Sequence, residues 1–176
     1  MKLAIALCVT AVVFLSLSAR AGFEPFVDGG LITGFGKIAA VPSAAPIPEG
    51  ATFRIAFDLK QGAKEGMVNR SLDTAARFLN MHHAAGVPAA NMQLALVVHG
   101  GAHKDLLTDD AYDGFNPNAE LIAELVKNGV EIYLCGQTAA FYGVGAEDLL
   151  PGVQMSLSAM TTHALLQQQG YTLNPF

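Results

Sequence analysis

Apolar residues along most of the chain follow two alternating patterns, which predict strands and helices in turn. Five short apolar runs are typical of β-strands, at residues 52–57, 94–98, 130–134, 153–155 and 171–173. Helical spacing with capping or glycine signals predicts helices over residues 69–85, 116–129 and 158–170, and a short helix from residue 136. Strands that alternate with helices pack as a parallel sheet with helices on both faces, so the pattern predicts an α/β fold.

The segment before this alternation, residues 22–50, has a different composition. It is rich in Gly and Pro and shows no sustained period, so we predict an N-terminal arm with little regular structure. Its apolar residues are too many for a plain linker, and we expect the arm to lie against the domain or a neighbouring subunit. The α/β domain is then assigned to residues 51–176.

The first 21 residues have the three parts of a secretory signal peptide. Lys2 gives a positive start, residues 3–17 are almost wholly apolar, and the small residues Ala19 and Ala21 suit cleavage. The alternative is a membrane anchor, but the run is near the lower length limit for one. We predict cleavage and a periplasmic or secreted product. No later run has membrane-spanning length, so we expect no stable membrane insertion.

Composition narrows the function classes without choosing among them. The 176 residues suit one domain, and an apolar fraction of 52% excludes a disordered chain. The formal net charge of −5 argues against a nucleic-acid partner, because phosphate binding needs clustered Lys and Arg. Two cysteines are too few for a disulfide scaffold, and signal-peptide cleavage removes Cys8 and leaves only Cys135.

Cys135 is the strongest candidate for a reactive residue. In parallel sheets the ligand crevice lies outside the carboxyl ends of the strands, and Cys135 follows the third strand directly. The helix predicted from Gly136 would favour a thiolate there, and Gly136 leaves space beside the sulfur. Gln137 is the next residue along this edge. The alternative is a buried and inert cysteine, a frequent environment for free thiols.

A second group of candidates follows the second strand. His99 could hold a proton for the thiol or stabilise its thiolate, and Gly100 and Gly101 would let backbone approach a ligand. His103 lies close behind as a further binding candidate. The alternative is that His99 only shapes the turn at the strand end.

A weaker alternative is that His99, His103 and Cys135 bind a metal ion. Zinc needs three or four ligands, which His99, His103 and Cys135 could begin to supply. The two histidines lie on a Gly-containing loop rather than a helix face, and the chain has no Cys-x-x-Cys motif. We therefore predict neither a metal nor another cofactor.

Four segments resemble corresponding parts of a known family: residues 97–102 (VVHGGA), 116–122, 129–137 (GVEIYLCGQ) and 158–171. In this order and spacing they resemble the DsrE/DsrF-like sulfur-relay family, over about residues 53–173. The resemblance implies a three-layer, flavodoxin-like parallel sheet of about five strands without a flavin, assembled as a homo-oligomer, either a trimer or a hexamer. It also implies that Cys135 carries sulfur as a persulfide, whereas it gives His99 no firm role.

Two functions follow as hypotheses, with enzymatic activity left open. The first is a periplasmic persulfide carrier or sulfurtransferase-like protein, whose partner is a sulfur donor or an acceptor thiol on a small molecule or a protein. The second is a non-enzymatic oligomeric binding protein that uses the same crevice for a small ligand or a protein partner.

Overall fold

The structure, a computed structural model, describes residues 25–174, so the predicted signal peptide lies outside the described residues. Five strands are present: β1 (Phe53–Leu59), β2 (Met92–Val98), β3 (Glu131–Cys135), β4 (Val153–Ser156) and β5 (Thr172–Asn174). The α-helices are α1 (Arg70–Ala84), α2 (Asp109–Tyr112), α3 (Ala119–Lys127), α4 (Gly136–Tyr142) and α5 (Ala159–Gln168). Short 3₁₀ helices span Ala89–Asn91, Gly100–Leu106 and Ala146–Asp148. None of these helices has both the length and the apolar character needed to cross a bilayer.

The strands form one parallel sheet in the order β4-β3-β2-β1-β5, which confirms the predicted five-stranded α/β fold. The register aligns the carboxyl ends of the central strands. Val98 pairs with both Leu59 and Leu134, and Cys135 pairs with Ser156. The residues that follow β1, β2, β3 and β4 therefore meet along one edge of the sheet.

Each face of the sheet has its own apolar core, because side chains of a strand alternate between the faces. In β2, Leu94, Leu96 and Val98 belong to the larger core, which includes buried residues of α1 and α3. Ala95 and Val97 belong to a smaller core that also includes Ala56, Leu166 of α5 and Tyr171. Helices thus cover both faces, and α5 packs on the face whose side chains are small.

The arm packs on α1 of the same chain. Its residues 25–50 contain one isolated antiparallel bridge, between Val27 and Ile38, and Ile32 is fully buried in the larger core. The Asn80 side chain of α1 accepts hydrogen bonds from the backbone of Leu31 and Ile32, and donates to carbonyl groups of the arm. A buried side-chain amide therefore satisfies backbone groups that have no strand or helix partner.

The start of α3 differs from the prediction. We expected Asn116 to cap this helix, but the capping position is Asn118. Asn116 is fully buried, donates to the carbonyl groups of Asp105 and Leu107, and accepts from the backbone N–H of Asn118. The Asn116 side chain thus joins the start of the helix to the buried loop before it.

Candidate functional site

Cys135 is the last residue of β3 and occupies the position before the first turn of α4. It is 6% exposed and lines a cavity of about 370 Å³ at the carboxyl edge of the sheet. The cavity is also lined by residues near the carboxyl ends of β1, β2 and β4 and by residues of α4 and α5: Asp58, His99, Gln137, Thr138, Ser158, Ala159, Met160 and His163. The volume lies within the range of small-molecule sites.

Two helix starts stabilise the charge of the Cys135 thiolate. Burial alone would raise the pKa of this thiol, but hydrogen bonds from the backbone N–H groups of Thr138, Ala159 and Gln137 and from the Thr138 hydroxyl outweigh burial and lower the pKa. Thr138 and Gln137 lie in the first turn of α4, and Ala159 begins α5. The sequence predicted the contribution of α4, whereas the contribution of α5 depends on the fold.

Gly136 lets these two helix starts come together. A Cβ atom at Gly136 would lie 2.4 Å from the carbonyl oxygen of Ser156 and 3.2 Å from that of Leu157. We expected this glycine to leave space beside the sulfur, but the atoms that a side chain would meet first belong to the backbone at the end of β4. Ser158 then caps α5 by accepting a hydrogen bond from the backbone N–H of Thr161, at 3.0 Å.

A carboxylate joins two histidines on the same cavity. Oδ1 of Asp58, near the end of β1, accepts hydrogen bonds from Nε2 of His99 at 3.1 Å and from Nε2 of His163 at 2.8 Å. Burial would raise the pKa of the Asp58 carboxyl, but the hydrogen bonds and the proximity of His163 and His99 outweigh burial and lower it. The chain of groups His99–Asp58–His163 is therefore built around an ionised carboxylate.

The other predicted residues take several positions around this edge. Gln137 lines the cavity and donates to the carbonyl oxygen of Leu157, at 3.3 Å. Gly100 and Gly101 are not among the lining residues, but the N–H of Gly100 donates to the Thr138 hydroxyl, at 3.2 Å, and Gly100 has a positive φ of 56°. His103 is not among the lining residues.

The position of His103 follows from its own contacts. Its Nδ1–H donates to the carbonyl oxygen of Gly100, and its ring stacks on Tyr142 with centroids 3.9 Å apart. Within residues 25–174, no three His, Cys, Asp or Glu side chains are grouped so that they could hold a metal ion. The structure thus gives the His99–His103–Cys135 metal hypothesis no support.

Sequence reasoning selected neither Asp58 nor His163 for the site. Asp58 is the second-last residue of β1, at the same edge as Cys135, and this position was a usable signal. His163 lies one helical turn after Ala159, so the two residues share a face of α5 at the edge where that helix begins. The sequence alone gave no reason to pair His163 with Asp58, because 105 positions separate them.

Comparison with known proteins agrees with this architecture. The model of the DsrE/DsrF-like family matches residues 58–175, which include every residue that lines the cavity. The chain belongs to the DsrE/DsrF-like family. No curated protein sequence matches it.

The chain resembles several solved structures, two of which are described here. One is a protein of unknown function, MTH1491 from Methanobacterium thermoautotrophicum, with a TM-score of 0.56 and 18% identity over 70% of this chain and 99% of that one. The other is the ychN protein from E. coli, with a TM-score of 0.47 and 16% identity over 70% of this chain and 100% of that one. At these identities the first likeness supports the fold alone.

Proposed function

We propose that the protein carries sulfane sulfur as a persulfide on Cys135, as a periplasmic carrier or sulfurtransferase. The observation that carries the proposal is a thiol that lines a cavity and receives hydrogen bonds from the starts of two helices. A lowered thiol pKa increases the thiolate fraction, and the thiolate is the nucleophile in sulfur exchange. Membership of a family associated with sulfur relay supports the same reading.

The proposed reaction is an exchange between thiols and needs no cofactor. The Cys135 thiolate attacks the outer sulfur of a persulfide donor, the donor's S–S bond breaks, and the donor leaves as a thiolate with the bond's electron pair. An acceptor thiolate then attacks the outer sulfur on Cys135 and releases the Cys135 thiolate. Each step exchanges one S–S bond for another, so no net oxidation occurs.

We also propose that the protein is exported and forms a homo-oligomer. The predicted signal peptide supports a periplasmic or secreted location, and the donor or acceptor thiol is the expected partner. Three large apolar side chains near the carboxyl edge, Phe141, Leu157 and Met160, are 81, 71 and 79% exposed. Exposed apolar groups of this size are typical of interfaces, which supports a homo-oligomer, either a trimer or a hexamer.

The test is sulfur loading of the protein without residues 1–21. We expect incubation with glutathione persulfide or polysulfide to increase the intact mass by one sulfur atom, and peptide mapping to place it on Cys135. Cys135→Ser should take up none, and subsequent incubation with a free thiol should remove the sulfur from the unmutated protein. Absence of sulfur on Cys135 under mild conditions contradicts the proposal.

The low exposure of Cys135 favours a second candidate, a non-enzymatic oligomeric binding protein. In that case the cavity holds a small ligand or part of a protein, and the thiol is a packing residue. This candidate predicts very slow reaction of Cys135 with iodoacetamide and full partner binding by Cys135→Ser. Rapid alkylation with loss of binding in Cys135→Ser contradicts it.

A further inference from the structure

The hydrogen bonds of Asp58 define which nitrogen of each neighbouring histidine carries a proton. An ionised carboxylate only accepts hydrogen bonds, so Nε2 of His99 and Nε2 of His163 must both be donors. In the neutral form of each ring, Nδ1 is then the nitrogen without a proton. The two Nδ1 atoms lie in different environments, and that difference separates the roles of the two histidines.

His163 is suited to anchor Asp58 rather than to exchange protons. Its Nδ1 is buried and has no hydrogen-bond partner among the described residues. The polar contact that the structure gives this ring is therefore the hydrogen bond from Nε2 to Asp58. The short contact between His163 and Asp58, together with the position of His163 on α5, fixes the carboxylate beside the cavity.

His99 is the ring that can exchange a proton with a bound molecule. Its side chain is 25% exposed and lines the cavity that contains Cys135. With Nε2–H held by Asp58, its Nδ1 can accept a proton and return it. A carboxylate that fixes the tautomer and orientation of a histidine in this way is a general device of nucleophilic catalysis.

We propose that Asp58 is a positioning residue that holds His99 as the acid–base group for sulfur transfer at Cys135. This inference rests on the proposed function and adds the proton path to it. His99 is the residue that meets the reacting sulfur atoms, and Asp58 acts through His99.

In the loading step, every proton and electron pair is accounted for. Nδ1 of His99 takes the proton of the Cys135 thiol, and the resulting thiolate attacks the outer sulfur of a persulfide donor. The donor's S–S bond breaks, its electron pair stays on the departing thiolate, and Nδ1 of His99 returns the proton to that thiolate. Cys135 ends as a persulfide and the donor as a thiol, so no oxidant or reductant is consumed.

The test compares two reactions of Cys135 that differ in their need for a proton donor. Loading from glutathione persulfide releases an alkyl thiolate, which benefits from protonation, whereas iodoacetamide releases iodide, which does not. In Asp58→Ala we expect loading to slow by about ten- to a hundredfold. Alkylation at a pH where the thiol is fully ionised should stay within about threefold of the unmutated rate. Asp28→Ala, at an exposed aspartate of the arm, is the matched control and should change neither rate.

Two further variants test whether Asp58 acts through His99. His99→Gln should slow loading at least as much as Asp58→Ala, and the double variant should be no slower than His99→Gln, because both changes remove the same function. Asp58→Asn keeps an oxygen that can accept from His99 and should recover part of the loading rate. A multiplicative loss in the double variant, or equal rates for Asp58→Asn and Asp58→Ala, overturns the positioning role.

The outcomes separate this inference from the proposed function. If the unmutated protein takes up no sulfur, the proposed function fails. If it loads normally and Asp58→Ala loads equally fast, or if loading and alkylation fall by the same factor, only the role of Asp58 fails. Should Asp58→Ala not fold, His99→Gln supplies the same comparison, and an unchanged loading rate in that variant overturns the inference.

Discussion

Gly136→Ala should disturb both the stability of the protein and the ionisation of Cys135. The added Cβ would lie 2.4 Å from the carbonyl oxygen of Ser156. Ordinary carbon-to-oxygen contacts are about 3.3 Å or more, so the β3–α4 junction must move roughly 1 Å from the end of β4. The neighbouring atoms are backbone, which cannot rotate away as a flexible side chain could.

The expected magnitude follows from two opposing effects. Overpacking of this kind costs about 1–3 kcal/mol, and a helical alanine recovers at most about 1 kcal/mol relative to glycine. We therefore expect a net loss in the free energy of unfolding. The displacement also separates the start of α4 from the start of α5, which weakens the hydrogen bonds to the Cys135 thiolate and raises its pKa toward the ordinary value.

Two measurements check this prediction, with Gly101→Ala as the matched control. Urea unfolding reports stability, and the rate of iodoacetamide alkylation against pH reports the thiol pKa. A Cβ at Gly101 would meet its nearest atom at 3.7 Å, an ordinary contact, so that variant should lie within about 0.5 kcal/mol of the unmutated protein. If Gly136→Ala retains both full stability and the same alkylation midpoint, the close-approach argument is wrong.

Four other outcomes are expected. Asn80→Ala leaves buried backbone groups of the arm without partners and should cost about 3–5 kcal/mol in urea unfolding; a loss below about 1 kcal/mol would contradict the role of that amide. Asp105→Asn places an amide donor where the carboxylate accepts from Ala63 and Asn69, and should cost about 1–3 kcal/mol in the same assay, whereas an unchanged midpoint would refute the assignment. The pKa of Asp58 in the folded protein lies below its ordinary value of 3.8, so the stability contributed by its carboxylate is complete above that pH and is lost as pH falls through the folded pKa. Asp58→Ala should remove this part of the acid dependence of the free energy of unfolding, and an unchanged dependence on pH would refute the prediction. Light scattering at micromolar concentration should give the mass of a homo-oligomer, and the mass of one chain would contradict the proposed assembly.

Local pattern was sufficient to predict the sheet and the position of its reactive edge. Apolar patterns identified all five strands within a few residues. An unbroken apolar run marked β2, as expected of a strand covered on both faces, and shorter or alternating patterns marked the others. The parallel arrangement then placed the residues after β2 and β3 together. Cys135 and His99 were found in this way, and both line the cavity.

Contacts between distant segments could not be read from local pattern. His163 is one polar residue in a helix with a weak amphipathic pattern, and its role exists only because α5 crosses back to the end of β1. Asn80 likewise reads as an unremarkable helical residue until the arm is placed against it. Asn116 has a cap-like sequence context and accepts from the N–H of Asn118, but its amide nitrogen also binds two carbonyl groups of the buried loop, which local pattern does not show.

Because α5 contributes both to the smaller core and to the cavity, the pKa of the Cys135 thiol reports whether this helix is packed correctly. Leu166 of this helix fills the core of the second face, while Ala159 and His163 of the same helix serve the cavity. A lowered pKa of Cys135 therefore indicates that α5 has packed on the second face of the sheet. The pH dependence of the Cys135 alkylation rate can thus be used to compare preparations and variants for correct packing of α5, before any sulfur donor or acceptor is known.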